Sequence, residues 1–332
     1  MIKNNYNSNM VSFLDDICKE LDGASLLADE SQVYGFVDSG SLALNKIISG
    51  DYNGGYPIGA ITEIYGESST AKTVFLTHAF IGAQAKGYYT VMVDNEHAYS
   101  PSFAEKLGLD PNKLIYAMPE TLEGCFDAIE KSILAIRKKD PDTPIVIGYD
   151  SIGVSPTRKE MDESQTAGGD NMTGALRAKI AGACLRRINP LLRKHKAALI
   201  IINQVRSKVG VMFGDPRTKA GGGKALLYYC GVSLETVSGK SDILYDGTKN
   251  PLGITGSVKC VKNKITVPFQ TCDFKLMYDV GLIPSCGLTL DYVKRGKASS
   301  PSKGWYSIDA GKTKHRAGDL DGVIANELSG NS

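Results

Sequence analysis

The chain has 332 residues, which is enough for one large domain with appendages or for two modest domains. Hydrophobic residues make up 42% and charged residues 22% of the sequence, which is ordinary for a soluble globular protein. No apolar run reaches the ~18 residues of a membrane span, and the polar, Asn-rich start has no secretory-signal pattern. We therefore expect a cytoplasmic location and no membrane contact.

The net charge and the spacing of the cysteines limit the kinds of binding site that the sequence predicts. The formal net charge is only +2, so DNA binding would have to depend on local basic segments. The 7 cysteines are scattered and form no CxxC pair, which argues against a zinc site and against a redox motif. We expect them to be reduced, partly buried thiols.

An amphipathic helix is predicted near the N-terminus, at residues 11–21. Its apolar face carries Val11, Leu14, Ile17, Cys18 and Leu21. The sequence leaves two interpretations open: the helix packs on the chain's own core, or it docks on a neighbouring subunit. We assign residues 1–36 to an N-terminal oligomerisation arm.

Strands and helices alternate along the next part of the chain. The predicted strands are Ile61–Tyr65, Thr90–Asp94, Ile145–Tyr149 and Ala198–Ile202, and the predicted helices are Thr73–Lys86, Leu122–Lys138 and Arg177–Lys194. This alternation predicts an α/β fold with a mainly parallel, twisted sheet flanked by helices.

The strands lie closer together after Gly223. Gly231–Thr236, Gly256–Cys260 and Phe269–Tyr278 predict that the sheet continues, partly antiparallel. Beyond Tyr278 the chain is richer in Gly, Lys and Ser, which we interpret as a small C-terminal α/β lobe. The predicted domains are therefore a core at 37–278 and a C-terminal domain at 279–332.

A phosphate-binding loop of the Walker A type follows the first of these strands and opens a helix. Its residues are Gly66, Glu67, Ser68, Ser69, Thr70, Ala71, Lys72 and Thr73. Backbone amides of such a loop form an anion nest, while Lys72 would neutralise the β- and γ-phosphates and the Thr73 hydroxyl would bind Mg²⁺. The loop predicts ATP and Mg²⁺ as ligands.

The loop departs from the usual pattern at Ala71, where glycine normally precedes the lysine. Because alanine disfavours positive φ, we expect a near-helical conformation at Ala71 and room for its methyl group.

Two further strands end in acids. Asp150 ends an apolar strand in the manner of a Walker B element and would hold Mg²⁺ through water. Glu96 follows the strand that ends at Asp94, and we expect it to orient and deprotonate the attacking water. Asp94 and Glu96 would share a face while the chain is extended.

These motifs and several longer stretches resemble the bacterial RecA recombinase family, including its phage-encoded relatives. The resemblance runs from about Ser39 to Tyr306, and its stretches are Ser39–Leu44, Gly59–Ser69, Asp94–Ala98, Phe103–Asp110, Ile202–Pro216 and Val261–Phe269. It implies a RecA-like P-loop ATPase core and a DNA-dependent ATPase. Such an enzyme forms helical filaments on single-stranded DNA and exchanges strands with homologous duplex DNA.

The resemblance also implies roles for individual residues. Glu96 would be the catalytic glutamate, Phe103 would pack on the adenine, and Gln204 would sense the γ-phosphate. Lys262 and Lys264 would reach the ATP of the neighbouring subunit and stabilise transition-state charge. A solvated strand end is the alternative for these two lysines.

Two Gly-rich, polar segments, 163–172 and 205–223, are predicted to be irregular, and the resemblance implies that both bind DNA. The second mixes cations, which hold phosphates, with apolar side chains, which wedge between bases. The expected DNA-binding residues are Met172, Arg206, Lys208, Met212, Phe213, Arg217, Lys219, Gly221 and Gly222. A mobile surface loop is the alternative for the second segment.

Two other functions stay open. One is a RecA-fold motor of another kind, such as a hexameric helicase, and the other is a non-catalytic accessory protein that binds nucleotide and DNA without turnover. Ala71 favours the accessory protein, whereas Lys72, Glu96 and Asp150 argue against it. The basic C-terminal lobe is interpreted either as a second contact for duplex DNA or as a solvated surface.

Overall fold

The computed structural model describes residues 5–21, 33–162, 170–207, 217–219, 221–238 and 242–330. Contacts divide the chain into two units, Met1–Tyr34 and Gly35–Ser332. In the first unit, helix α1 spans Asn5–Glu20 and contains most of the predicted helix. Its assignment to a docking arm stays a prediction. Within the described ranges, no helix combines the length and apolar character needed to cross a membrane.

The second unit alternates short strands and helices. Its strands are β1 (Phe36–Val37), β2 (Tyr56–Pro57), β3 (Ile61–Gly66), β4 (Tyr89–Asp94), β5 (Leu114–Ala117), β6 (Ile145–Asp150), β7 (Ala197–Ser207), β8 (Arg217–Lys219), β9 (Val232–Val237), β10 (Ile243–Tyr245), β11 (Pro251–Asn263), β12 (Thr271–Met277), β13 (Gly281–Leu282), β14 (Ser299–Ser302) and β15 (Trp305–Ser307). Its helices are α2 (Leu42–Ser49), α3 (Lys72–Ala85), α4 (Pro101–Lys106), α5 (Leu122–Arg137), α6 (Arg158–Asp162), α7 (Asp170–Lys194), α8 (Gly223–Tyr229), α9 (Leu288–Lys294) and α10 (Ala317–Leu328), with a 3₁₀ turn at Pro111–Lys113.

One mixed sheet forms the centre of this unit. Its strand order is β13-β12-β11-β9-β3-β7-β6-β4-β5. The strands from β9 to β5 pair in parallel, while β9, β11, β12 and β13 pair antiparallel with one another in that order. The predicted α/β fold, parallel first and then partly antiparallel, is confirmed.

Successive side chains along the buried strands point to opposite faces of the sheet, so they fill a core on each face. On β3, Ile64 joins the cluster that contains Phe75 and Phe80 of α3. Ile61 joins the opposite cluster, which contains Phe126 of α5 and Leu185 of α7. The sheet is therefore covered on both faces, which explains why its strands are almost wholly apolar.

The strand register brings the ends of four strands together. Gly66 at the end of β3 is the register partner of Gln204 on β7, and Asp94 on β4 is the partner of Asp150 on β6. Since these strands are parallel, their carboxyl ends share one edge of the sheet. Ligands of open α/β sheets bind at such an edge.

The C-terminal residues belong to the same unit as the core. Leu320 and Ile324 of α10 are buried in the cluster that also contains Phe274 of β12. The Thr289 amide donates a hydrogen bond to Asp321 Oδ1 at 2.6 Å. The predicted boundary at residue 278 therefore lies inside a contiguous unit, and a separate domain at 279–332 stays a prediction.

Both segments predicted to be irregular contain regular structure. Helix α7 begins at Asp170, so the prediction of an irregular 170–172 is wrong. Gly174 inside the helix obscured its periodicity. Strand β7 extends to Ser207 and pairs antiparallel with β8, so the ends of 205–223 are wrongly predicted as well. The remaining residues at 163–169, 208–216 and 220 lie outside the described ranges.

Candidate nucleotide site

The phosphate loop joins β3 to α3 and is fixed at its first residue by close packing. A Cβ on Gly66 would lie 2.3 Å from Thr236 Oγ1 and 2.5 Å from Thr236 O. The buried Thr70 hydroxyl bonds to Thr236 Oγ1 at 2.7 Å and donates to Glu67 O at 2.9 Å. The loop thus has to begin with glycine, because its backbone lies directly on β9.

Ala71 is left-handed, with φ 64° and ψ 15°, so the expected near-helical conformation is wrong. Closure of the loop onto the first turn of α3 requires positive φ at this position, as it does at Ser69 (φ 64°). The expected room for the methyl group does exist, since Ala71 packs against the hydrophobic core. An L-residue in this conformation costs about 1 kcal/mol relative to glycine.

Lys72 is buried at the start of α3 and points back into the loop. Its Nζ donates a hydrogen bond to Glu67 O at 2.5 Å. Burial lowers the pKa of the Lys72 ammonium, and the nearby carboxylates of Asp150 and Glu96 oppose that shift. An ammonium in this position is placed to compensate the negative charge of a phosphate group.

Thr73 and Asp150 present oxygen atoms to each other. Thr73 Oγ1 donates to Asp150 Oδ2 at 2.6 Å. Burial raises the pKa of Asp150 to about 6, and the negative charges of Glu96 and Asp94 add to the shift. A hydroxyl and a carboxylate with excess negative charge nearby fit the hard oxygen ligands that Mg²⁺ prefers.

Glu96 accepts hydrogen bonds from two other parts of the chain. Its Oε1 accepts a hydrogen bond from Ser151 Oγ at 2.5 Å and another from Gln204 Nε2 at 2.7 Å. The Ser151 amide in turn donates to Asn95 Oδ1 at 2.9 Å. The glutamate is therefore positioned by β6, β7 and its own loop together.

Asp94 has a different role from Glu96. Its Oδ1 accepts the amides of Glu96 and His97, both at 2.9 Å, and its Oδ2 accepts the Tyr99 amide at 3.1 Å and the Tyr116 hydroxyl at 2.6 Å. Strand β4 ends at Asp94, so the two acids do not share an extended face. Asp94 instead fixes the turn that presents Glu96.

A cavity of about 250 Å³ opens above the loop. It is lined by Ser68, Ser69, Thr70, Ala71, Lys72, Thr73, Val74, Glu96, Asp150, Ile202 and Gln204. Most residues that the sequence proposes for phosphate, metal and water thus surround one space.

Five other residues proposed for the nucleotide site do not line that cavity: Gly66, Glu67, Phe103, Lys262 and Lys264. Phe103 lies half-buried on α4. Lys262 Nζ donates to the carbonyls of Leu227 and Tyr228, and Lys264 Nζ lies 3.5 Å from Tyr228 O, at the C-terminus of α8. Contact of Phe103 with adenine and of the two lysines with a neighbouring subunit's ATP therefore stay predictions.

The structure describes only some of the proposed DNA-binding residues. Lys208, Met212 and Phe213 lie outside the described ranges, as do the side chains of Met172, Arg206 and Arg217.

The two glycines proposed to bind DNA, Gly221 and Gly222, lie where a side chain is disfavoured. A Cβ on Gly221 would lie 2.4 Å from Ile152 O, and Gly222 has φ 72° where it caps α8. Lys219 is described too, and its ammonium contacts Glu63.

Sequence reasoning missed several residues that organise the site, namely Asn95, Ser151, Asn203 and Thr236. Asn203 is fully buried and donates to Glu63 Oε1 at 3.1 Å and to Gly221 O at 3.0 Å. A polar residue inside an apolar strand, as in Ile200–Gln204, was the available signal.

Comparison with known proteins agrees with this geometry. The sequence model of one family, described as the RecA N-terminal domain, matches residues 12–283. Protein RecA of Bacillus velezensis is 36% identical over 278 residues, which are 82% of this chain and 74% of that protein. Protein RecA of Desulforapulum autotrophicum is 35% identical over 282 residues, which are 85% and 76% of the two chains.

A third relative covers more of the chain. Protein RecA of Mycobacterium marinum is 34% identical over 314 residues, which are 91% of this chain and 84% of that protein. The family match spans the sheet, the phosphate loop and the strand that carries Gln204. The chain therefore belongs to the RecA family of recombinases, which act in recombination and DNA repair.

Proposed function

We propose that this chain is a DNA-dependent ATPase that forms helical filaments on single-stranded DNA and exchanges strands with a homologous duplex. The observation that carries the proposal is the hydrogen bond from Gln204 Nε2 to Glu96 Oε1 at 2.7 Å. Glu96 faces the phosphate loop, and Gln204 lies on β7 directly before residues 205–223, which we call the second DNA-facing segment. One contact thus joins the two proposed activities.

The residues of the cavity divide the chemistry among them. Loop amides and Lys72 hold the β- and γ-phosphates, which offsets their charge as the terminal bond breaks. Thr73 and Asp150 would hold Mg²⁺, which would neutralise charge on the phosphate oxygens. Glu96 orients the attacking water and accepts its proton.

Gln204 links turnover to DNA. Its amide can bond to Glu96 or to a phosphate oxygen, so nucleotide binding can change the position of β7 and of the segment after it. By reciprocal linkage, DNA bound to that segment then alters nucleotide affinity by the same factor.

The complete ATP site belongs to two subunits in this proposal. Lys262 and Lys264 lie outside the chain's own cavity, and their ammonium groups bond to carbonyls at the end of α8. In a filament they would turn to the neighbour's γ-phosphate and stabilise transition-state charge. Phe103 would pack on the adenine.

ATP hydrolysis with and without single-stranded DNA, measured beside strand exchange between homologous DNAs, tests the function. We expect DNA to stimulate hydrolysis and exchange to depend on ATP. Stimulated hydrolysis without exchange would indicate a motor of another kind, and absent hydrolysis would indicate the non-catalytic accessory protein.

A further inference from the structure

A buried carboxylate outside the nucleotide cavity is paired with a lysine from the second DNA-facing segment. Glu63, in the middle of β3, is 0% exposed. Its Oε2 accepts hydrogen bonds from Lys219 Nζ and from Ser233 Oγ, the latter at 2.7 Å, and its Oε1 accepts one from Asn203 Nδ2 at 3.1 Å. We call Glu63, Lys219, Ser233 and Asn203 the Glu63 cluster.

The cluster fastens both ends of the second segment to the sheet. Lys219 is the register partner of Val205 in the β7–β8 pair. Asn203 bonds to Gly221 twice: its Nδ2 donates to Gly221 O at 3.0 Å, and its Oδ1 accepts from Gly221 N at 3.1 Å. The backbone before and after residues 208–216 is therefore joined through side chains on β3 and β7.

The Lys219 ammonium is enclosed by protein groups. Its Nζ lies 3.8 Å from the centroid of the Tyr65 ring and 3.3 Å from Ser233 Oγ, and the side chain is 24% exposed. A lysine that turned away to a phosphate would leave Glu63 ionised and buried without its cation, which is strongly unfavourable. The cluster therefore opposes the DNA contact that the sequence suggested for Lys219.

We propose that Lys219 is a positioning residue that clamps the base of the second DNA-facing segment to β3, and that it does not contact DNA. The proposal rests on the proposed function, since it takes single-stranded DNA as the segment's ligand. Glu63 and Gly66 both lie on β3, and Asn203 directly precedes Gln204 on β7. The clamp thus ties the segment to two of the strands that carry the nucleotide site.

Four variants test the clamp: Lys219→Met, Glu63→Gln, the two combined, and Lys224→Met as the matched control. Lys224 is an exposed lysine on α8 that makes no ion pair with any residue the structure describes. The readouts are the Tm without DNA and the affinity for a fluorescent oligo-dT at several salt concentrations.

We expect Lys219→Met to lower the Tm by on the order of 10 °C, because it leaves a buried charge unpaired. The combined variant should regain most of that loss, since it removes both charges, and it remains informative if Lys219→Met alone does not fold. Its oligo-dT affinity should lie within about threefold of wild type, with an unchanged slope of log affinity against log salt. Lys224→Met should leave the Tm unchanged.

A direct phosphate contact predicts a different pattern. Lys219→Met would then keep the wild-type Tm, and both it and the combined variant would lose about 0.7 from the salt slope, as one lost contact to a single strand does. That result would overturn the clamp. If wild-type protein does not bind oligo-dT, the proposed function fails, while the four Tm values still decide whether the cluster exists.

Discussion

Asp150 and Glu63 are both buried carboxylates on strands of the same sheet, yet their surroundings balance charge in opposite ways. Glu63 accepts hydrogen bonds from an amide, a hydroxyl and the Lys219 ammonium. Asp150 accepts one from the Thr73 hydroxyl, and burial together with the charges of Glu96 and Asp94 raises its pKa to about 6.

This difference in charge compensation distinguishes a ligand-binding site from a structural contact between strands. At the carboxyl edge of the sheet, Glu96 and Asp150 lie near the ammonium of Lys72, and Asp94 lies near Asp150. Negative charge therefore exceeds positive charge there. At the Glu63 cluster the chain supplies its own cation. Uncompensated charge at the first region predicts Mg²⁺, whereas compensated charge at the second predicts a fixed connection.

Glu96→Gln gives the largest expected effect at the first region. Glutamine keeps the size of the side chain and can still accept a hydrogen bond from Gln204, but it cannot accept the proton of water. We expect kcat for ATP hydrolysis to fall by about 10²–10⁴, with ATP affinity retained. Single-turnover hydrolysis and binding of a fluorescent ATP analogue measure the two quantities. Unchanged turnover would remove Glu96 from the base role.

The same variant tests whether the site spans two subunits. Mixed filaments of Glu96→Gln and Lys262→Met contain interfaces where an intact Glu96 meets an intact Lys262. If the lysine acts on the neighbour's ATP, the mixture hydrolyses ATP faster than either variant alone. If both residues act within one chain, mixing gives no more than the average of the two rates.

The sequence predicted those features of the two regions that depend on residues close together in the chain. Short apolar or β-branched runs located β3, β4, β6 and β7, and the phosphate loop followed from its spacing. Lys219 and Glu63, by contrast, are 156 residues apart, and no local pattern pairs them. In sequence Lys219 is one of several cations in a Gly-rich segment, so it was interpreted as a DNA contact.

Backbone conformation is the second feature that the sequence alone does not predict. Positive φ at Ala71 is imposed by how the loop closes between β3 and α3, which the residue type alone does not reveal. Likewise, the pairing of β8 with β7 depends on contact between two stretches separated by residues 208–216. Long-range packing decides both features, and a single sequence does not display it.

Asp150→Asn tests, through the free energy of unfolding, whether Asp150 lacks the charge compensation that Glu63 has. The folded-state pKa of about 6 lies above the ordinary value of 3.8, so ionised Asp150 destabilises the fold when Mg²⁺ is absent. The penalty is full above about pH 6 and is lost as the pH falls towards 3.8. Asparagine removes it, so we expect up to about 3 kcal/mol of added stability at neutral pH without Mg²⁺.

Denaturant unfolding of both proteins in EDTA at about pH 7.5 and about pH 5 measures this effect. The gain in the free energy of unfolding should shrink at the lower pH, while Mg²⁺-dependent ATP binding should weaken at least tenfold in the variant. A destabilised variant at neutral pH would mean that Asp150 is already compensated, as Glu63 is.

Ala71→Gly has the smallest expected effect and tests whether the unusual loop is defective. Glycine relieves about 1 kcal/mol of left-handed strain, but it loses the methyl packing and adds about 0.5–1 kcal/mol of unfolded-chain entropy. The two contributions oppose each other, so we expect a change within about 1 kcal/mol in unfolding and within about threefold in ATP affinity. Calorimetric titration and thermal unfolding measure both. A tenfold gain in affinity or turnover would show that Ala71 distorts the anion nest, and the accessory function would then gain support. An unchanged site would mean that the loop tolerates alanine in the left-handed conformation at residue 71.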